Sequence, residues 1–156
     1  MPRTELETEF LSDHKRMTRG FRDLIKALQA NKPADAHRLA AELDFVAGPH
    51  IEFEERVLYP RVEGARGEEY GANLRHEHQV ARSALQFLLD HRNEPLEPQD
   101  RARVIQQLRV GFEHAVACGS LLSHLTVLDE ADQQAMLGQL RRYRDQKLRW
   151  TELCGA

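Results

Sequence analysis

The sequence predicts an all-α fold: an antiparallel up-down-up-down four-helix bundle with a fifth helix at its C-terminal end. Apolar residues recur at helical spacing along most of the chain, and the strict alternation typical of half-buried strands is nearly absent. The segments between the predicted helices are short, which favours antiparallel neighbours. With 156 residues the chain can bury a core as one domain. We therefore expect a single domain over 1–156, with the bundle at about 4–128 and the last helix at about 129–152.

The first helix is predicted to begin after Thr4, which forms a capping box with Glu7, and to run to about Ala30. Its apolar residues recur every three or four positions, so one face is expected to line the core. The residues of that inner face are Phe10, His14, Met17, Phe21, Leu24 and Leu28.

The second helix opens at Pro33 and Asp35 and is predicted to end before Pro60. Gly48 and Pro49 interrupt its pattern. A proline inside a helix removes a hydrogen bond and costs about 3 kcal/mol. We therefore expect the helix to kink or restart at Pro49, with the proline in a first-turn position.

The third helix is predicted to start near Glu68 and to end near Arg92. Its inner face carries Leu74, His78, Ala81, Leu85 and Leu88. The segment from Asn93 to Gln99 contains two prolines and is predicted to be a loop.

The fourth helix follows to about Leu125, and a fifth is predicted to begin at Asp129 and run toward Trp150. The inner face of the fourth helix carries Val110, His114, Ala117 and Leu121. The fifth helix is strongly charged, so we expect one apolar side to pack and the other to face water.

Composition and charge exclude several classes of partner and location. The formal net charge is −3 and Lys and Arg form no dense run, so we expect neither nucleic acid nor a membrane as partner. The N-terminus lacks a signal-peptide core, and no apolar stretch is long enough to span a bilayer. Cys118 and Cys154 do not make a disulfide framework and are expected as reduced thiols in a cytoplasmic protein.

Four of the eight histidines lie on the predicted inner faces, one on each helix of the bundle. A single such histidine would usually be a satisfied core residue. Four of them leave many donors and acceptors to satisfy in a dry core, which favours a bound ligand. The other four, expected at the surface or around the site, are His37, His76, His91 and His124.

The distances of the inner histidines from the loops predict that they lie at one level. His14 lies about 15 residues before the first loop and His50 about 16 after it, so both lie roughly 23 Å from that end. His50 lies about 10 residues before the second connection, and His78 lies about 10 residues after it. His78 lies about 14 residues before the third connection, and His114 lies about 15 residues after it. The four side chains should therefore meet inside the bundle.

Glu54 lies four residues after His50 and so shares its helix face one turn on. A buried carboxylate is costly unless it is paired or bound to a metal. Imidazole and carboxylate ligands suit iron, manganese or zinc, and helix bundles build such sites from inward-facing side chains. The alternative is a solvated residue beside Glu52 and Glu55, and the sequence leaves both interpretations open.

This pattern resembles the hemerythrin-like, or HHE cation-binding, family over about residues 4–128. Residues 50–60 read HIEFEERVLYP and closely follow the family signature HxxxEExxLYP. The residues similar to the remaining histidine motifs are Asp13-His14, Glu77-His78, and His114 after Gly111-Phe112-Glu113.

The resemblance implies a four-helix bundle with a non-haem di-iron centre. Members bind dioxygen, sense oxygen or redox state, handle nitric oxide, or take part in iron homeostasis. The ligands it implies here are His14, His50, Glu54, His78 and His114. We therefore expect one or two non-haem iron ions, with a small diatomic molecule as the partner.

The chain departs from the family near the end of the fourth helix. Members usually carry a second bridging acid four or five residues after the fourth histidine, where this sequence has Cys118 and Gly119. Three arrangements remain open: two irons with one carboxylate bridge and water, a single metal, or Cys118 as a thiolate ligand or redox-sensitive thiol. Cys118 as a small buried hydrophobe is the simpler alternative.

Two other functions compete with ligand binding or sensing. One is an iron-dependent enzyme of the peroxidase or nitric-oxide-handling type, with Tyr59 and His76 as candidate proton sources. The other is an interaction or structural module with a degraded or single-metal site. No triad, phosphate loop or dinucleotide motif is present, so we predict no catalytic residues and expect a binding protein before an enzyme. The charged last helix, with Trp150 and Leu153 near its end, forms a homodimer surface or packs on the bundle.

Overall fold

The computed structural model describes residues 2–91 and 94–153, which are mainly helical and contain no strand. The α-helices are α1 Glu5–Gln29, α2 Pro33–Phe53, α3 Tyr59–Arg66, α4 Glu68–Asp90, α5 Pro98–Cys118, α6 Ser123–Thr126 and α7 Glu130–Asp145. A π-helical turn Glu54–Leu58 joins α2 to α3, and 3₁₀ turns follow α5 and α7 at Gly119–Leu122 and Trp150–Glu152. This confirms the all-α helical bundle.

The predicted capping box starts α1. The Glu7 backbone N–H donates to the Thr4 hydroxyl at 3.3 Å, and the Thr4 N–H donates to the Glu7 carboxylate at 2.6 Å. These contacts satisfy two backbone donors that a helix start leaves without partners. The four longest described helices, α1, α2, α4 and α5, form the bundle. Each of them carries one of the inner histidines.

Of the kink or restart expected at Pro49, the restart is wrong, because α2 runs as one helix from Pro33 to Phe53. The kink stays a prediction. Gly48, the residue before Pro49, has a packing role. A Cβ atom at Gly48 would overlap the backbone carbonyl of Leu148, so the missing side chain lets the C-terminal segment cross directly over α2.

The predicted helix end before Pro60 is also wrong, because the chain stays helical to Arg66. Within the π-helical turn the Tyr59 N–H donates to the Glu54 carbonyl, five residues back. Pro60 cannot donate to the next carbonyl, that of Glu55, because proline has no N–H. The Arg75 guanidinium donates to this carbonyl instead, at 3.2 Å. The π turn therefore lets helix geometry continue through Pro60.

The fourth helix of the bundle ends earlier than the predicted Leu125. α5 stops at Cys118, the backbone tightens into the 3₁₀ turn Gly119–Leu122, and only the short α6 follows. The fifth helix begins as predicted after Asp129, whose carboxylate accepts from the Asp132 N–H at 2.8 Å. It ends at Asp145, short of Trp150.

The segment after α7 folds back onto the bundle. Trp150 is 2% exposed and packs edge-to-face on Phe21, with ring centroids 6.1 Å apart. The Thr151 N–H donates to the Asp44 carboxylate at 2.8 Å, and Arg82 donates to the Thr151 carbonyl at 2.7 Å. Trp150 therefore packs on the bundle, and a homodimer surface on the last helix stays a prediction.

Two apolar clusters fill the core on either side of the histidine level. One contains Met17, Phe21, Leu24, Leu43, Ile51, Ala81, Leu85, Leu108 and Trp150. The other contains Leu6, Phe10, Phe53, Leu58, Tyr59, Cys118, Leu121, Leu125 and Leu140. Among the described helices, none is long and apolar enough to cross a lipid bilayer.

Candidate metal centre

The four inner histidines come together in the core, one from each of α1, α2, α4 and α5. They are buried, with between 1% and 5% of each residue exposed, and Glu54 at 1% lies among them. The level matching that predicted this arrangement is therefore correct for His14, His50, His78 and His114. Their assignment as metal ligands stays a prediction, whereas their proximity is a feature of the structure.

The Glu54 carboxylate lies between two pairs of imidazoles. Its Oε1 is 3.2 Å from His14 Nε2 and 2.6 Å from His50 Nε2. Its Oε2 is 3.2 Å from His78 Nε2 and 3.9 Å from His114 Nε2. Each oxygen therefore faces one pair of ring nitrogens.

The far side of each imidazole ring faces an oxygen atom. His14 Nδ1 lies 2.9 Å from the Phe10 carbonyl, and His50 Nδ1 lies 3.1 Å from Asp13 Oδ2. These oxygens favour a proton on Nδ1, which leaves the Nε2 lone pair directed into the centre.

The other two rings face carboxylates. His114 Nδ1 lies 3.1 Å from Glu77 Oε2, and His78 Nδ1 lies 3.5 Å from Glu55 Oε1, too far for a hydrogen bond. Carboxylates behind metal-binding imidazoles are common, because they orient the ring and raise its basicity.

Tyr59 and Cys118 complete the interior of the cluster. The Tyr59 hydroxyl lies 2.5 Å from Glu54 Oε2, 3.0 Å from His78 Nε2 and 3.2 Å from His114 Nε2. Cys118 Sγ lies 3.6 and 3.7 Å from the two Glu54 oxygens and 3.9 Å from the Tyr59 hydroxyl. Tyr59 is fully buried and Cys118 is 2% exposed.

The π turn brings Tyr59 next to Glu54. In a regular α-helix, residues five apart point about 140° away from each other. The extra residue in the turn reduces this difference, so Glu54 and Tyr59 face the same interior. Our sequence interpretation named Tyr59 only as a candidate proton source. The signal that could have located it is Pro60, which marks a change in the helix hydrogen-bond pattern.

Charge dominates the ionisation of the central groups. Burial by itself would raise the pKa of Glu54, but the charge of His50 and the neighbouring histidines hold it well below its usual value. Burial would lower the pKa of His50, yet the charge of Glu54 and the hydrogen bond to Asp13 raise it to about 9. Without a cation, the centre therefore holds an ionised Glu54 against a protonated His50.

The pKa values of Tyr59 and Cys118 shift in the opposite direction to that of Glu54, because burial and the Glu54 charge act together on them. Both raise the pKa values of Tyr59 and Cys118 well above their usual ranges. The two groups are therefore neutral while the cluster contains only protein atoms. A cation beside them would reverse this preference, because it stabilises the anionic form.

The donor set fits a metal ion. Two ligand atoms at right angles, each about 2.1 Å from one ion, lie about 3.0 Å apart. The nitrogen–oxygen separations around Glu54, between 2.6 and 3.9 Å, cluster about that value. In two groups of three residues, the possible ligand atoms all lie within 4.8 Å of one another. One group is His14, Glu54 and Cys118, and the other is Glu54, His78 and His114, so both contain Glu54.

The other four histidines stay outside this cluster in the described part of the chain. His76 and His91 are exposed, whereas His37 and His124 are half-buried. The expectation that they lie at the surface or around the site agrees with this placement. His76, the second candidate proton source, points to solvent.

The model of one protein family, described as the hemerythrin HHE cation binding domain, matches residues 6–124. This match covers α1 to α5 and all five predicted ligands, and it ends before α7. No curated protein and no solved structure matches the chain.

Proposed function

The chain belongs to the hemerythrin HHE cation-binding domain family, and on that premise we propose that it is a non-haem iron protein. The ligand set we propose is His14, His50, Glu54, His78 and His114. Its function is to bind or sense a diatomic molecule, dioxygen or nitric oxide, or to serve redox or iron homeostasis.

One observation carries the proposal: a buried carboxylate with a pair of imidazole nitrogens at each of its oxygens. This arrangement fits two ions that would share Glu54, with His14 and His50 available to hold one and His78 and His114 to hold the other. Nitrogen and oxygen ligands of this kind suit iron. Iron, when bound, supplies the redox chemistry and the affinity for small diatomic molecules.

The residues of this chain control access to such an ion. Phe10 packs on both His14 and His50, with ring centroids 4.3 and 5.1 Å apart, and Trp150 covers His78 at 6.2 Å. These rings exclude bulk water from the nitrogen atoms. A small neutral molecule such as dioxygen or nitric oxide enters an apolar environment of this kind more easily than a hydrated anion.

A single-metal site is the second candidate, and Cys118 is the observation that favours it. Where the family usually has an acid, this chain presents a neutral thiol 3.6 Å from Glu54 Oε1. Fewer negative charges in the core weaken the binding of a second cation. In this arrangement the thiol lies on the side of the cluster that contains His14.

Metal analysis of iron-reconstituted protein, combined with an optical spectrum, tests the proposal. We expect about two irons per chain, and a spectrum that changes when the reduced protein meets dioxygen or nitric oxide. His50→Ala should retain about one ion, and Glu54→Ala should lose nearly both because the two sites share it.

His37→Ala, outside the cluster, is the control and should bind iron like the unmodified chain. Stoichiometric binding of one iron would support the single-metal candidate. Wild-type protein that retains less than about half an iron per chain after reconstitution would overturn both.

A further inference from the structure

We propose that Tyr59 is itself a metal ligand, binding through its phenolate oxygen the ion held by His78 and His114. This inference rests on the iron site proposed above and names a donor that the five-residue ligand set lacks. In this role Tyr59 replaces the acid that is absent from the end of α5.

The first argument is the position of the hydroxyl. It lies within 3.2 Å of three atoms, Glu54 Oε2, His78 Nε2 and His114 Nε2. A phenol has one proton and can donate it to only one of them. The other two contacts need either a proton on each imidazole Nε2 or a cation between the atoms. A cation shared by all four atoms satisfies these contacts while both imidazoles stay neutral.

The second argument is the shape formed by these four atoms. Ligand atoms at right angles around one ion lie about 3.0 Å apart when each bond is about 2.1 Å. The hydroxyl lies 2.5, 3.0 and 3.2 Å from the other three atoms, and His78 Nε2 lies 3.2 Å from Glu54 Oε2. Only the separation of 3.9 Å between His114 and Glu54 is longer. Tyr59 therefore occupies the place of a ligand.

The third argument is charge. Four neutral imidazoles and one carboxylate offset a single positive charge of the two ions. The centre is closed to solvent, where uncompensated charge is expensive. A phenolate adds a second negative charge at the oxygen atom nearest His78 and His114. Its proton would leave to solvent as the ion binds, which offsets one of the positive charges that the ion brings into the core.

The backbone supports the same assignment. The π turn Glu54–Leu58 directs Tyr59 to the interior beside Glu54, and π turns inside α-helices often occur at functional sites. Arg75 stabilises this turn, because it donates to the Glu55 carbonyl at 3.2 Å and its guanidinium carbon lies 5.7 Å from the Tyr59 ring centre.

The test uses the visible charge-transfer band that ferric iron shows with phenolate but not with imidazole and carboxylate ligands alone. The chain has three tyrosines, Tyr59, Tyr70 and Tyr143. We expect the band in the ferric wild-type protein, in Tyr70→Phe and in Tyr143→Phe, and its loss in Tyr59→Phe. Tyr143 is a matched control, because it is also buried but belongs to α7.

A second measurement covers the case in which Tyr59→Phe fails to fold. In the Tyr70→Phe/Tyr143→Phe double variant, Tyr59 is the only tyrosine, so ring-deuterated tyrosine labels it selectively. Resonance Raman excitation in the band should then show phenolate vibrations that shift with the label.

The outcomes separate this inference from the proposed function. An iron-loaded wild-type protein with no phenolate band, or with a band that survives in folded Tyr59→Phe, would disprove ligation by Tyr59 and leave the iron site standing. Protein that binds no iron would overturn both.

Discussion

Each buried histidine has one ring nitrogen facing the centre and the other facing an oxygen behind it. Asp13 behind His50 and Glu77 behind His114 occupy equivalent places, both 3.1 Å from Nδ1. They differ in exposure: the Asp13 side chain is 7% exposed and that of Glu77 is 40% exposed. Electrostatic interactions are stronger where water is excluded. Asp13 should therefore have the larger influence on its histidine.

We predict that Asp13→Asn lowers iron affinity by about 10- to 100-fold, the usual range for carboxylates behind ligating histidines. Glu77→Gln should have a smaller effect, because solvent screens its charge. Competition with a chelator of known affinity measures both. Glu42→Gln, on an exposed residue paired with Arg38, is the control and should change nothing. Equal losses for Asp13→Asn and Glu77→Gln would contradict the role assigned to burial.

At the scale of helices, irregular backbone occurs where the chain meets the candidate metal centre. The π turn begins at Glu54, and the 3₁₀ turn begins immediately after Cys118. Helical periodicity assumes a constant rotation per residue. It located the inner histidines of the regular helices, and it failed at Pro60 and Leu125, where the rotation changes.

The crossing of the C-terminal segment over α2 gives a prediction at the same scale. Gly48→Ala should destabilise the protein by about 1–3 kcal/mol, because the new Cβ overlaps backbone atoms that cannot rotate away. Urea unfolding monitored by circular dichroism measures this change.

The matched control for Gly48 is Gly138→Ala in α7, where a Cβ atom meets no other atom within 4 Å. Alanine in an open helical position should stabilise by up to about 1 kcal/mol. If both substitutions shifted stability in the same direction, the close approach at Gly48 would not determine the packing of this segment.

At the scale of the whole molecule, the chain beyond the family match still contacts the centre. The match ends at residue 124, yet Arg144 of α7 donates to Asp13 Oδ2 at 2.8 Å, the oxygen that also faces His50. Trp150 lies against His78. The C-terminal region therefore contacts both halves of the site: Arg144 reaches the His50 side through Asp13, and Trp150 contacts His78 directly.

Trp150 is the only tryptophan and should report metal binding by its fluorescence. Its ring centre lies 6.2 Å from that of His78, so we expect iron to quench the emission strongly and zinc to quench it little. Titration of the metal-free protein measures this. His78→Ala should weaken the quenching, whereas His37→Ala should leave it unchanged. Quenching that is identical in both variants would place the ion away from His78.

The sequence alone determined the helical fold and the convergence of the four histidines with Glu54. These properties depend on local periodicity and on distance along regular helices, both of which can be counted from residue numbers. It also identified the missing acid at Cys118 and Gly119.

Only the tertiary structure decided the position of Tyr59, the contact between Arg144 and Asp13, and the packing of Trp150 on the bundle. The orientation of Tyr59 depends on one extra residue in a π turn, which rotates every later residue of the helix about its axis. Arg75 from another helix stabilises this turn. The contacts of Arg144 and Trp150 join residues more than 60 positions apart. Such contacts follow from how helices pack, and sequence spacing does not encode them.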